Sequence, residues 1–348
     1  MTSYLTTTIS SNQISTANKN HIKVLDSLRG IAALSVLVFH YVLPNGVLHK
    51  IYIKNMNILF QHGNLGVEIF FVISGFVIPY SLLGKGYTPR QFFSFIIKRI
   101  VRINPPAYVS MLLIILQWYM IEHYVTMETP YLAKLSFMQV LHNLLFTASF
   151  SKYVWISGVF WTLAIEFQFY IIIGTLYNYL FERKLFFFII LFLFVGLAPL
   201  LYRPHNFFSF LEYSSLFAMG GLTLFKKKDM IKDYIYLLTM ALFFGVCYAE
   251  LGIYSALVGA FTALAIQYLS FSNVITNFLG KISYSLYLTH LFVGLVCQFI
   301  LVKFISTGPF VNRFFMQLAC IAVAIASAYI FYLVVERPFI KLASRLKN

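Results

Sequence analysis

Val24-Leu-Asp26-Ser27-Leu-Arg29-Gly30-Ile-Ala-Ala-Leu-Ser-Val-Leu-Val-Phe-His40-Tyr-Val-Leu43 is apolar throughout, apart from a charged opening turn and one imidazole near its end. At about 1.5 Å of rise per residue, a helix of this length covers roughly 30 Å, the thickness of a bilayer's hydrocarbon core. The run reads as a transmembrane helix. Nine further apolar runs follow, at 65–83, 105–121, 159–181, 185–201, 207–225, 234–249, 254–270, 282–302 and 314–335. About ten spans make an all-α fold, a polytopic transmembrane helical bundle. The stretch 137–150 is half polar or small, with Gln139, His142, Asn143, Thr147 and Ser149, and reads as a re-entrant or interfacial segment instead.

Composition agrees. Of the 348 residues, 60% are hydrophobic and 11% charged, against about 25% charged in a soluble domain. A soluble enzyme and a disordered chain are both excluded. The net charge of +15 would suggest nucleic acid on a soluble surface. Here it is a topology signal, because cytoplasmic flanks of membrane helices collect Lys and Arg. With the N-terminus inside, 19 of the 26 bases fall on the inner segments, so both termini are expected in the cytoplasm and no nucleic-acid partner is expected. Residues 1–20, polar and without a basic leader, read as a disordered cytoplasmic tail; 21–340 form the membrane domain and 341–348 a basic cytoplasmic tail. The connection 122–158 is the one outer segment large enough to shape a substrate site. Cys247, Cys297 and Cys320 lie singly in apolar runs and have neither disulfide nor zinc-ligand spacing.

Ionisable groups inside spans are costly and therefore functional candidates. Arg29 and His40 are eleven residues apart, which places them within about 20° of one helical face and about 16 Å apart along the axis. The structural alternative is that Arg29 pairs with Asp26 while His40 bridges two helices. Glu68, near the start of the second span, is expected at nearly the depth of His40, where a carboxylate could fix the imidazole tautomer as a general base requires; a water-facing Glu68 is the alternative. Lys98-Arg99-Ile-Val-Arg102 sets two arginines on one face, suited to forking onto phosphate oxygens, though positive-inside flanking also explains the charges. Trp161-Thr162-Leu-Ala-Ile-Glu166-Phe-Gln-Phe-Tyr170 puts Thr162, Glu166 and Tyr170 on one stripe. Ser283, Tyr287 and His290 form another, expected in the inner half, where His290 either meets substrate or joins a neighbouring helix. Glu212 and Glu336-Arg337-Pro338 are weaker signals, the latter readable as an ion pair that ends the last helix.

No phosphate-binding Gly-Lys-Ser/Thr loop, His-Glu-x-x-His or Gly-x-Ser-x-Gly occurs. The motifs that do occur, Asp26-Ser-Leu-Arg29-Gly with His40, Gly66-Val-Glu68-Ile-Phe-Phe-Val-Ile-Ser74-Gly75-Phe76, Arg99-x-x-Arg102-Ile-x-Pro105, Trp161-Thr-Leu-x-x-Glu166-x-x-Phe-Tyr170 and Ser283-Tyr284-x-x-Tyr287-Leu-x-His290, resemble those of the acyltransferase 3 family of bacterial integral membrane O-acyltransferases. Ser27 stands where that family usually has Gly. The resemblance implies an enzyme of the bacterial inner (plasma) membrane. It would carry an acyl group, often acetyl, from cytoplasmic acyl-CoA, with no metal, to a hydroxyl of a surface carbohydrate such as O-antigen or exopolysaccharide. Arg29, Lys98, Arg99 and Arg102 would then hold the CoA phosphates. His40 would act as base or be transiently acylated, with Glu166 or Glu68 orienting it. Trp161, Tyr170, Tyr287 and His290 would face substrate. Succinyl or another acyl group, a lipid or antibiotic acceptor, and a non-enzymatic polysaccharide or lipid transporter are the alternatives.

Overall fold

The computed structural model describes residues 22–44, 46–124, 131–183, 185–201 and 209–346. The expected tail at 1–20 lies outside them. Every regular element described is helical: α1 (Lys23–Val42), α2 (Lys54–Phe60), α3 (Gly66–Leu82), α4 (Phe92–Tyr124), α5 (Phe137–Leu144), α6 (Phe160–Tyr177), α7 (Leu185–Leu201), α8 (Phe210–Lys227), α9 (Asp233–Leu251), α10 (Ile253–Tyr268), α11 (Val274–Phe304), α12 (Phe310–Phe331) and α13 (Arg337–Arg345). All ten expected spans fall on helices. Among the described residues seven helical stretches are long and apolar enough to cross a membrane, and α7 and α10 are shorter apolar helices. The tenth, α8, is buried almost along its whole length, as befits a helix surrounded by other helices. The protein is an integral membrane helical bundle.

Close approach of backbones sets the arrangement, as expected where lipid supplies no hydrophobic drive between helices and small residues let them pack. A Cβ on Gly280 would meet the carbonyl of Asp26, and one on Gly30 the backbone of Thr276 and Gly280. Further along, Gly294 receives the ring of Tyr41, whose hydroxyl donates to the His290 carbonyl at 2.7 Å. The contacts 26–30 with 276–280 and 41 with 290–294 ascend together, so α1 and α11 run parallel. A second seam joins α3 to α8, where Gly75 meets the Phe217 carbonyl and Gly220 that of Val72. Around it the aromatic rings interlock: Phe217 lies 4.9 Å from Phe71 and 4.4 Å from Phe169.

Two helices begin earlier than the apolar runs suggest. α4 starts at Phe92 rather than at Pro105, behind a capping box in which the Thr88 N–H donates to Gln91 Oε1 at 2.9 Å. Pro105 and Pro106 therefore lie inside a 33-residue helix; each lacks an N–H for the turn before it, a defect that neighbouring helices make tolerable in a membrane protein. As a result Lys98, Arg99 and Arg102 are on the helix itself and not on a flank. α11 starts at Val274, capped by Asn273, whose Oδ1 accepts from the Thr276 N–H at 2.8 Å. α13 carries residues 341–345 in helix, with Ala343 buried. The stretch 137–150 holds the eight-residue α5, too short to span, with Phe137, Met138, Leu145 and Phe150 exposed, the pattern of an interfacial segment.

Candidate active site

A cavity of about 380 Å³ opens among α1, α3, α4, α6, α11 and α13. Val67 and Ser81, fourteen residues apart on α3, both line it, so it extends about 21 Å along that helix. Its character changes along this length. Near Ser81 the wall carries Lys98, Arg99 and Arg102. Near Val67 it is made of Phe70, Phe71, Thr162 and Tyr287. Arg29 joins from α1 partway along: Gly66 packs on Ala32 and Val36, and Arg29 is two turns below Val36, about 10 Å. Four cations face two carboxylates, Glu166 and Glu336, so the basic half has an excess of positive charge available to an anion. A second basin of about 220 Å³, lined by Lys85, Tyr87 and Gln91, shares Ser81, Lys98 and Arg99 with the first.

The charged walls are built from fixed side chains. Arg99 donates to the Phe95 carbonyl at 3.1 Å and to Ser81 Oγ at 3.2 Å, with its guanidinium 3.5 Å above the Phe95 ring. Glu166 Oε1 accepts from Ser74 Oγ at 2.9 Å and from the Tyr170 hydroxyl at 2.6 Å. The expected stripe on α6 is therefore real: Tyr170 bonds Glu166 one turn away, and Thr162 Oγ1 meets the Tyr287 hydroxyl at 2.8 Å. Arg29 shares the cavity wall with Arg102, Glu166 and Glu336.

The imidazoles stand apart from this cavity. His40 is half-buried one turn beyond the level of Gly66 and does not line it. Its ring centroid is 5.2 Å from that of His290, which is 6.1 Å from Tyr287. Tyr287, edge-on to Phe70 at 5.8 Å, is the cavity-wall residue beside the imidazole pair. His290 is level with His40, a correction to its expected place in the inner half, and follows from α1 and α11 being parallel. Two further expectations are corrected. Glu68 points away from α1: its Oε1 accepts from Ser255 Oγ of α10 at 3.1 Å, and its helix starts level with Val36, below His40. Glu166 is held by Ser74 and Tyr170 among the arginines, so neither carboxylate is bonded to His40. Trp161 is also outside the cavity wall, with its ring 6.4 Å from Phe71 and 5.6 Å from Tyr213.

Glu336 is the residue that sequence reasoning undervalued. Read as the end of a helix, it is 4% exposed and lines the cavity. Its Oε2 accepts from the Ser285 N–H at 3.2 Å and from Ser285 Oγ at 2.5 Å. A π-helical turn, Tyr332–Glu336, joins α12 to α13 and sets this orientation. The signal available was an acidic residue directly before Arg-Pro at the end of an apolar run, with no periodicity to say which way it faced. Ser74, Ser81 and Tyr284 complete the polar lining, and the Tyr284 hydroxyl donates to the Ile103 carbonyl at 2.7 Å.

A family model described as an acyltransferase domain matches residues 22–333, which is most of the chain. The Bacillus subtilis (strain 168) protein named "Putative peptidoglycan O-acetyltransferase YrhL" is 32% identical over 168 residues, 45% of this chain. The chain covers 24% of that relative's length. No solved structure matches.

Proposed function

We propose, from the premise that this chain belongs to the acyltransferase 3 family and is a membrane O-acyltransferase, that its donor is cytoplasmic acyl-CoA and its acceptor a carbohydrate hydroxyl on the opposite side of the bilayer. The observation that carries this reading is the cavity's polarity: about 21 Å of passage, cationic at the Ser81 end and neutral at the Val67 end. A thioester donor has the same gradient, phosphates at one end and an uncharged acyl arm at the other. Arg29, Lys98, Arg99 and Arg102 hold the anionic end, where guanidinium groups fork onto phosphate oxygens. The excess of bases toward the inner segments supports entry of that end from the cytoplasm.

His40 takes the proton from the acceptor hydroxyl as its oxygen attacks the thioester carbonyl. The carbon–sulfur bond breaks, and the thiolate leaves with a proton returned by the imidazolium. His40 does not line the cavity, so the reaction requires a path from it to the imidazole beside the Tyr287 wall. The name of the Bacillus relative, "Putative peptidoglycan O-acetyltransferase YrhL", supports a glycan acceptor and an acetyl group. Purified protein in liposomes, given acyl-CoA with and without a glycan acceptor, tests both parts. Acceptor-dependent thiol release and a glycan mass step of one acyl group are expected; no thiol release from any acyl-CoA refutes the donor assignment.

A further inference from the structure

The buried imidazole of His290 has its proton position dictated by its own helix. Nδ1 is 3.1 Å from the Leu286 carbonyl and 2.9 Å from that of Tyr287. Carbonyls only accept, so Nδ1 carries the hydrogen, and in the neutral ring Nε2 is left as a bare acceptor. That Nε2 is buried and has no hydrogen-bond partner, in a residue 1% exposed. Burying an acceptor unsatisfied costs free energy, and the half-buried ring of His40 lies beside this imidazole, centroid to centroid 5.2 Å. The His40 ring also lies edge-to-face with Phe39, at 5.1 Å. The helix that carries His290 cannot drift, because Tyr41, the residue after His40, grips the His290 carbonyl and packs on Gly294.

We propose that His290 is the positioning residue for His40, its Nε2 accepting the N–H of the His40 ring and so leaving the other His40 nitrogen as a lone pair for the acceptor hydroxyl. The role expected of Glu68 or Glu166 passes to a neutral group. A bond of roughly 2.9 Å between the two rings requires a turn of the half-buried His40 ring about χ2, a soft torsion. An uncharged partner suits the place better than a carboxylate, since a buried charge would need its own counter-ion. The proposal rests on the reading of His40 as the base.

Three variants are assayed together in the full-length protein for kcat, for KM of the acyl donor and for thermal unfolding. His290→Leu removes the acceptor and should lower kcat by about 100-fold or more, the usual worth of a positioned acid–base group, with donor KM within twofold. His290→Gln, whose amide oxygen can stand where Nε2 stood, should recover most of that loss. His40→Ala should abolish turnover. Turnover retained in His40→Ala overturns the assignment of the base. An inactive His40→Ala beside a His290→Leu of wild-type kcat, or beside a His290→Gln no better than His290→Leu at equal stability, overturns the positioning role alone. Nitrogen-15 spectra of the histidine-labelled wild-type protein test the geometry without any variant: the proton of His290 is expected on Nδ1, and finding it on Nε2 overturns the proposal even if both substitutions fail to fold.

Discussion

Replacing Arg102 by methionine removes one guanidinium from the cationic end of the cavity while keeping a side chain of similar reach. If that group binds a donor phosphate, the loss is one charge-assisted hydrogen bond, about 1.5–3 kcal/mol. At about 1.4 kcal/mol per factor of ten, KM for acyl-CoA should rise roughly 10- to 150-fold. The effect must depend on the phosphates being there. An S-acyl pantetheine, which lacks the nucleotide and all phosphates, ends before the Ser81 level of the passage, so the same substitution should change its KM by less than about twofold, within the usual error of additivity. The assay is a double-mutant cycle read by thiol release, protein variant on one axis and donor truncation on the other. Arg102 lines the same cavity as Arg29 and Arg99. Equal losses for both donors would mean that Arg102 supports the fold rather than the ligand; no loss for either would remove the anion site from the mechanism.

Glu166→Gln keeps an oxygen for Ser74 and Tyr170 but deletes a negative charge beside the arginines, so acyl-CoA should bind as tightly or more tightly; a large rise in KM would argue against this, and isothermal titration measures it. Gly280→Val sets a side chain against the Asp26 carbonyl and should cost about 1–3 kcal/mol of stability or more, whereas Gly245→Ala, with nothing within 4 Å of the new Cβ, should leave the thermal midpoint unchanged or raise it slightly. Glu336→Leu removes the acceptor of the Ser285 hydroxyl and should destabilise by about 1–3 kcal/mol, while Ser285→Ala should cost less; the reverse order, by thermal unfolding in detergent, would show that Glu336 is not held through Ser285. Thr162→Val removes the hydroxyl that holds Tyr287 and should change kcat without changing donor KM, because it acts at the neutral end; a shift confined to KM would contradict that placement.

The spans were legible because a bilayer demands length and apolarity from contiguous residues, and those are read directly from the chain. The starts of α4 and α11 were not, because the turns that open them, Thr88 to Gln91 and Asn273 to Thr276, are polar capping signals outside the apolar runs. The cationic end of the cavity was legible from residue type and spacing: Arg29 sits in the charged opening turn of the first run, and Arg99 and Arg102 stand at i, i+3 just ahead of the third. Partner choice was not. Glu68 is bonded to a serine 187 residues away, and Glu166 to one 92 residues away; helical periodicity gives the face a side chain occupies but not the helix opposite. The level of His290 was misjudged because span boundaries alone do not say how far α11 extends before its polar stripe.

The π turn before α13 makes the end of the bundle depend on residue count as well as residue type. Inserting one more residue between 332 and 335, where the π turn already holds one more than an α turn, would turn everything after it by about 100°, swinging Glu336 off Ser285 and carrying Ile340, Ala343 and Ser344 away from the passage they now floor. The substrate chamber is in that sense keyed like a lock barrel, sensitive to a single-residue slip in a stretch whose composition alone looks freely exchangeable.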